Sequence, residues 1–276
     1  MAAPASLPKS DLPRGAMVKA ESGFVHEALP VRAIGVQDLR DALRKGWADF
    51  IAKPSHIVFL GLIYPVAGLL LAQMSISNDL VPLVFPLLAG FALIGPFAGL
   101  GLYEISRRRE LGLDASWRHA LDVFDARSIR SILLLGGVLF VLFLAWLWSA
   151  AAIYDWAFDG DEPGTIAEFV TDVFTTPNGF WLITVGHIVG LVFAVAALML
   201  SAVSFPLLLD KHTDVGTAVA TSTRAVLKNP VTMAIWGLII ALALGIGALT
   251  AFVGLAIFIP VLAHASWHLY RRVTSV

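Results

Sequence analysis

Residues 231–270 read VTMAIWGLIIALALGIGALTAFVGLAIFIPVLAHASWHLY, forty positions without one Asp, Glu, Lys or Arg. At about 1.5 Å of rise per residue, a single helix of that length would reach about 60 Å, twice the roughly 30 Å of a bilayer's hydrocarbon core. The run is therefore read as two spans, 231–248 and 251–270, with Gly245, Gly247, Leu249 and Thr250 supplying the turn. Four more uncharged stretches are long enough to cross: 56–74, 80–103, 131–153 and 179–209. The expected fold is an all-α integral membrane protein with six transmembrane helices, arranged as three helical hairpins.

Composition agrees. Of 276 residues, 58% are hydrophobic and 14% charged, against roughly 45–50% and 25% in soluble domains. Mean hydropathy is +0.81. A soluble core of this size could not hide so much apolar surface. The net charge of −1 points to no nucleic-acid partner. Cysteine is absent, which removes disulfides, thiolate metal sites, iron–sulfur clusters and cysteine nucleophiles together. No secretory signal is expected, because the first apolar run begins only after Pro54.

Charge sets the orientation. With six spans and a cytoplasmic N-terminus, the inner segments are 1–55, 104–130, 210–230 and 271–276. They carry 8, 6, 3 and 2 basic residues, which is every one of the 19 Lys and Arg in the chain. The outer loops hold carboxylates only: Asp79, Asp155, Asp159, Asp161, Glu162, Glu168 and Asp172. This is the positive-inside pattern. It implies a bacterial inner-membrane protein with both termini cytoplasmic. Five spans would put Arg271 and Arg272 outside and spoil it. Tyr103, Trp236, Trp267 and Tyr270 fall near inner ends, and Trp146, Trp148, Tyr154, Trp156 and Trp181 near outer ends, as interfacial anchors.

A threefold repeat is expected, each hairpin being preceded by an amphipathic helix on the inner membrane surface. The apolar stripes are Val36, Leu39, Leu43, Trp47 and Phe50; then Leu113, Trp117, Leu121 and Phe124; then Val215, Val219, Ser222 and Val226. Pro54 and Pro230 open the first and fifth spans, where proline suits the first helical position. Pro96, Pro206 and Pro260 lie near the inner ends of the even spans and should kink them. Residues 1–30 are expected to form a disordered tail, and 31–276 a single membrane domain. The acidic outer loop 154–178 should carry one short amphipathic helix over 165–174, with Ile166, Phe169, Val170 and Phe174 on a face.

The run Phe205-Pro206-Leu207-Leu208-Leu209-Asp210, followed by Ala218, Ser222, Arg224 and Asn229-Pro230, resembles a bacterial family of uncharacterised integral membrane proteins. Ile34-Gly35-Val36, Asp38-Leu39, Gly46-Trp47, Phe50 and Pro54 are similar to that family's opening. The likeness spans roughly residues 32–272. Its motifs concern packing and helix boundaries rather than chemistry. Some members are labelled cytochrome c oxidase subunits, so the resemblance implies an association with integral membrane proteins of the respiratory chain.

Candidate chemistry is sparse. No P-loop, dinucleotide fingerprint, nucleophile elbow or zinc-protease motif occurs. His187 lies well inside a span, and His264 and His268 share one helical face. A metal or haem site built from these three is the weaker expectation. A neutral, hydrogen-bonded His187 and an interfacial His268 are the stronger. No metal and no cofactor is expected. Asp210 is expected to anchor a helix end through a salt bridge. Gly95 with Gly99, and Gly186 with Gly190, suit close helix packing. Arg107, Arg108 and Arg109 adjoin a span end and are expected to contact anionic lipid headgroups. No span holds a carboxylate at mid-depth, which speaks against an ion-coupled transporter. The pattern favours a non-catalytic accessory, assembly or scaffold protein. The alternative is a small permease or a lipid- or quinone-binding membrane protein.

Overall fold

The computed structural model describes residues 29–52, 66, 69, 81–160, 165–211, 213–250 and 252–274. The expected tail over 1–30 (apart from 29 and 30), the outer turn before Leu80, and the span 56–74 with its opening Pro54 (apart from 66 and 69) lie outside the described residues. The described chain is helical between its loops. In chain order it forms α1 (Val36–Ala52), a 3-10 turn (Val81–Leu83), α2 (Val84–Ala98), α3 (Leu100–Glu110), a 3-10 helix (Trp117–Asp125) and α4 (Ile129–Phe158). There follow α5 (Ile166–Thr175), α6 (Pro177–Ser201), α7 (Ser204–Asp210), α8 (Val215–Lys228), α9 (Pro230–Leu249) and α10 (Leu255–Thr274). Among the described residues three helical runs are long and apolar enough to cross a membrane: Ile129–Phe158, Pro177–Asp210 and Pro230–Leu249.

The forty-residue apolar run does divide in two: one helix ends at Leu249 and the next begins at Leu255. The break falls later than the glycines suggest. Gly245 and Gly247 remain inside α9. A Cβ on Gly247 would come within 2.3 Å of Leu255 Cδ2, so this glycine admits the start of α10 instead of making the turn. Thr250 shapes the turn. Its hydroxyl donates to the Gly247 carbonyl at 2.9 Å and accepts from Gly254 N–H at 3.0 Å.

The other boundaries follow local chemistry. Pro177 and Pro230 stand at the starts of α6 and α9, where no helix partner is lost. Thr165, Thr176 and Asp214 cap α5, α6 and α8 by accepting from Glu168, Gly179 and Thr217 N–H groups at 3.1, 3.1 and 2.9 Å. Pro206 cannot bond the carbonyl four residues back, at Ala202, and the helix gives way there, between α6 and α7. The break is stabilised from α8. Val203 N–H donates to Ser222 Oγ at 3.1 Å, and Ser204 Oγ donates to the Ala218 carbonyl at 3.2 Å. Ser222→Ala would strand that buried N–H and is expected to cost about 1–3 kcal/mol, read as a lower unfolding temperature in detergent. An unchanged melt would show that the bond carries no weight. Pro96 precedes a break at Gly99, whereas α10 runs unbroken through Pro260.

Two expectations about the amphipathic stretches need correction. The second is a 3-10 helix, not an α-helix. Side chains three apart then align, so Ala120 and Val123 turn inward while Leu121 and Phe124 stand exposed. In α1 the buried face is Leu39, Ala42, Gly46, Asp49 and Phe50, and Trp47 is half-exposed. Small residues allow close helix approach, so a packing face need not coincide with the most hydrophobic stripe.

A third correction concerns the aromatic residues assigned to inner ends. Tyr103, Trp236, Trp267 and Tyr270 are not interfacial anchors but part of the main core, with Phe205, Leu208 and Met233. Their neighbours satisfy them: Trp267 Nε1 donates to Glu110 at 3.0 Å and Tyr270 OH to Asp210 at 2.7 Å. Of the outer set, Trp148, Trp156 and Trp181 are exposed. Trp146 is buried and donates to the Pro86 carbonyl at 2.8 Å, joining α2 to α4.

Candidate functional site

The most concentrated polar chemistry lies where α1, α3 and α10 meet. Gly46 brings α1 against α10: a Cβ there would sit 2.6 Å from Ala265 N and 2.8 Å from the Val261 carbonyl oxygen. One turn later Asp49 enters the interface and is only 7% exposed. Its Oδ2 accepts from Ser106 Oγ at 2.6 Å and from His268 Nε2 at 2.8 Å. Its Oδ1 faces Arg109 Nε at 3.2 Å. Burial alone would push the Asp49 pKa up. The hydrogen bonds from His268 and Ser106, with the nearby imidazoles, outweigh it and hold the group below its ordinary value.

The ionised carboxylate orders the rest. Ser106 has one proton, and it goes to Asp49. Ser106 Oγ must then accept from His264 Nδ1, which lies 2.7 Å away. His264 is fully buried, and its Nε2 has no hydrogen-bond partner among the described residues. The order is carboxylate, hydroxyl, imidazole. A hydrolytic triad needs the imidazole in the middle, free to take the hydroxyl proton. Here the carboxylate holds that proton, so Ser106 is a connector and not a nucleophile.

Arg109 also closes the end of α1. Its Nη1 donates to the Asp49 carbonyl at 3.2 Å, a cation at a helix C-terminus. Beside it opens a cleft of about 230 Å³ lined by Lys45, Ala48, Asp49, Arg109, Glu110 and His268.

The remaining sequence candidates fall as follows. Arg107 makes a two-pronged pair with Glu104 at 2.7 Å, and Arg108 reaches Asp122 at 3.2 Å and the Asp114 carbonyl at 2.6 Å. With Arg109 on Asp49, each of the three guanidinium groups has a carboxylate partner within the protein. Asp210 does anchor a helix end, through Tyr270 and Arg271. His187 is on the exposed side of α6. Its Nδ1 lies 2.7 Å from the Ile183 carbonyl, and its ring is near Phe85. The structure thus joins His264 and His268 through Ser106 and Asp49. Among the described residues no group of three or more His, Cys, Asp or Glu could hold a metal ion.

Sequence inspection passed over Asp49. The available signal was its position, three residues after Gly46 and ten after Leu39, which puts a carboxylate on the small-residue face of α1.

With helices and no strands among the described residues, and three of those helices apolar and of spanning length, the chain is an integral membrane protein. Residues 84–210 match the model of a family described as predicted integral membrane protein (DUF2189), so the resemblance to such a family holds over that segment. No curated protein and no solved structure matches the chain.

Proposed function

We propose that the protein crosses the bacterial inner membrane six times, as three hairpins with both termini cytoplasmic, and serves as a non-catalytic accessory or scaffold protein. The observation that carries the topology is the confinement of all 19 Lys and Arg to four alternate segments. The exposed apolar side chains along α4, α6 and α9 supply the matching lipid-facing surface. The non-catalytic role is supported by the site itself, where Asp49 holds the Ser106 proton. The respiratory association implied by the resemblance names the partners to seek first. Co-purification in mild detergent tests this: stoichiometric membrane partners support a scaffold. A monodisperse protein that transports a solute alone would favour the permease reading, to which the cleft beside Asp49 lends some support.

Topology has its own test. Reporter fusions at residues 1 and 276 are expected to report the cytoplasm, and an insertion at residue 165 the outside. Residue 276 outside would sink the six-span reading.

A further inference from the structure

Donors and acceptors are unevenly used around the cleft. Asp49 receives Ser106, His268 and Arg109, while Glu110 receives Trp267 Nε1 at 3.0 Å and Arg271 Nε at 3.2 Å. Donors are left over. The Lys45 ammonium is exposed and pairs with no carboxylate among the described residues, unlike its neighbour Arg44, which pairs with Asp41 at 3.0 Å. Arg109 uses Nε and Nη1 internally, and its Nη2 has no partner among the described residues.

We propose that the cleft between Lys45 and Arg109 binds a phosphate group. A phosphate oxygen offers only acceptors, which suits these two unpartnered donors, and guanidinium with ammonium is a favoured pairing for it. The phosphate could belong to a lipid headgroup. The phosphate could equally be free in solution. The lipid source rests on the proposed placement of this end of the bundle at the headgroup level. Binding of inorganic phosphate would not need that placement, and the reporter fusions examine it separately.

The test uses the full-length protein in an uncharged detergent. Thermal unfolding is followed while phosphatidylglycerol, or inorganic phosphate, is titrated. A saturable rise in unfolding temperature is expected. Phosphatidylglycerol acting alone identifies a headgroup, and inorganic phosphate acting as well identifies a free anion. Lys45→Gln should raise the midpoint concentration about tenfold, the worth of one charge-assisted contact. Lys45→Arg should keep the wild-type midpoint, which separates lost binding from lost folding. Arg44→Gln, one position away, should leave it unchanged. No saturable rise with either ligand would overturn the proposal. So would equal weakening by Lys45→Gln and Arg44→Gln, which would mean generic surface charge.

Discussion

Asp49→Ala is expected to destabilise the protein by about 3–5 kcal/mol, the usual consequence of removing one partner from a buried ion pair. The variant leaves Arg109 without its carboxylate, and Ser106 and His268 without their shared acceptor. Its unfolding temperature in detergent should fall well below that of the wild type, and α1 should become the first segment cleaved by protease. Asp49→Asn keeps the shape and one acceptor oxygen and should lose less. Acid should produce a related change. A carboxylate held below its ordinary pKa in the folded state contributes stability above its unfolded value, about 3.9, and loses that contribution as pH falls further. Wild-type stability should therefore drop below about pH 4, with a shallower drop in Asp49→Asn. Identical acid profiles for the two proteins would remove Asp49 from the account.

Gly46→Ala is the second large effect. One added methyl would meet Ala265 N at 2.6 Å, Ala265 Cβ at 2.8 Å and the Val261 carbonyl at 2.8 Å. Two of these atoms are backbone, which cannot swing aside as a flexible side chain would. The helices must separate, and overpacking of this kind costs about 1–3 kcal/mol. Separation would also lengthen the contacts of Asp49, one turn away, so the penalty should reach the upper end of that range or pass it. Gly245→Ala is the control, because nothing lies within 4 Å of a Cβ there. It should match or exceed wild-type stability, alanine being the better helix former. Equal melts for Gly46→Ala and wild type would mean that α1 does not dock on α10 as described.

The boundary elements were legible because their causes are local. The short helix of the outer loop, Pro230 opening α9, and the division of 231–270 all depend on residues within a few positions of one another. The same holds for the apolar runs, whose length follows from backbone geometry and the hydrocarbon thickness. The polar site was legible only in its members. His264 and His268 could be placed on one face, but Asp49 and Ser106 are separated from their partners by 57 to 219 residues.

What the sequence by itself determined is a helical membrane protein with its basic residues divided unequally along the chain. Hydrophobic transfer and helix geometry act residue by residue, so they can be read without knowing what touches what. Tertiary structure alone decided that Trp236 and Trp267 belong to a core and not to an interface, that the second amphipathic stretch winds as a 3-10 helix, and that α1 presents Gly46 and Asp49 to its neighbours. Each of these depends on close approach between distant segments. A buried carboxylate is tolerated only where donors from other helices converge on it, and no local pattern records that convergence.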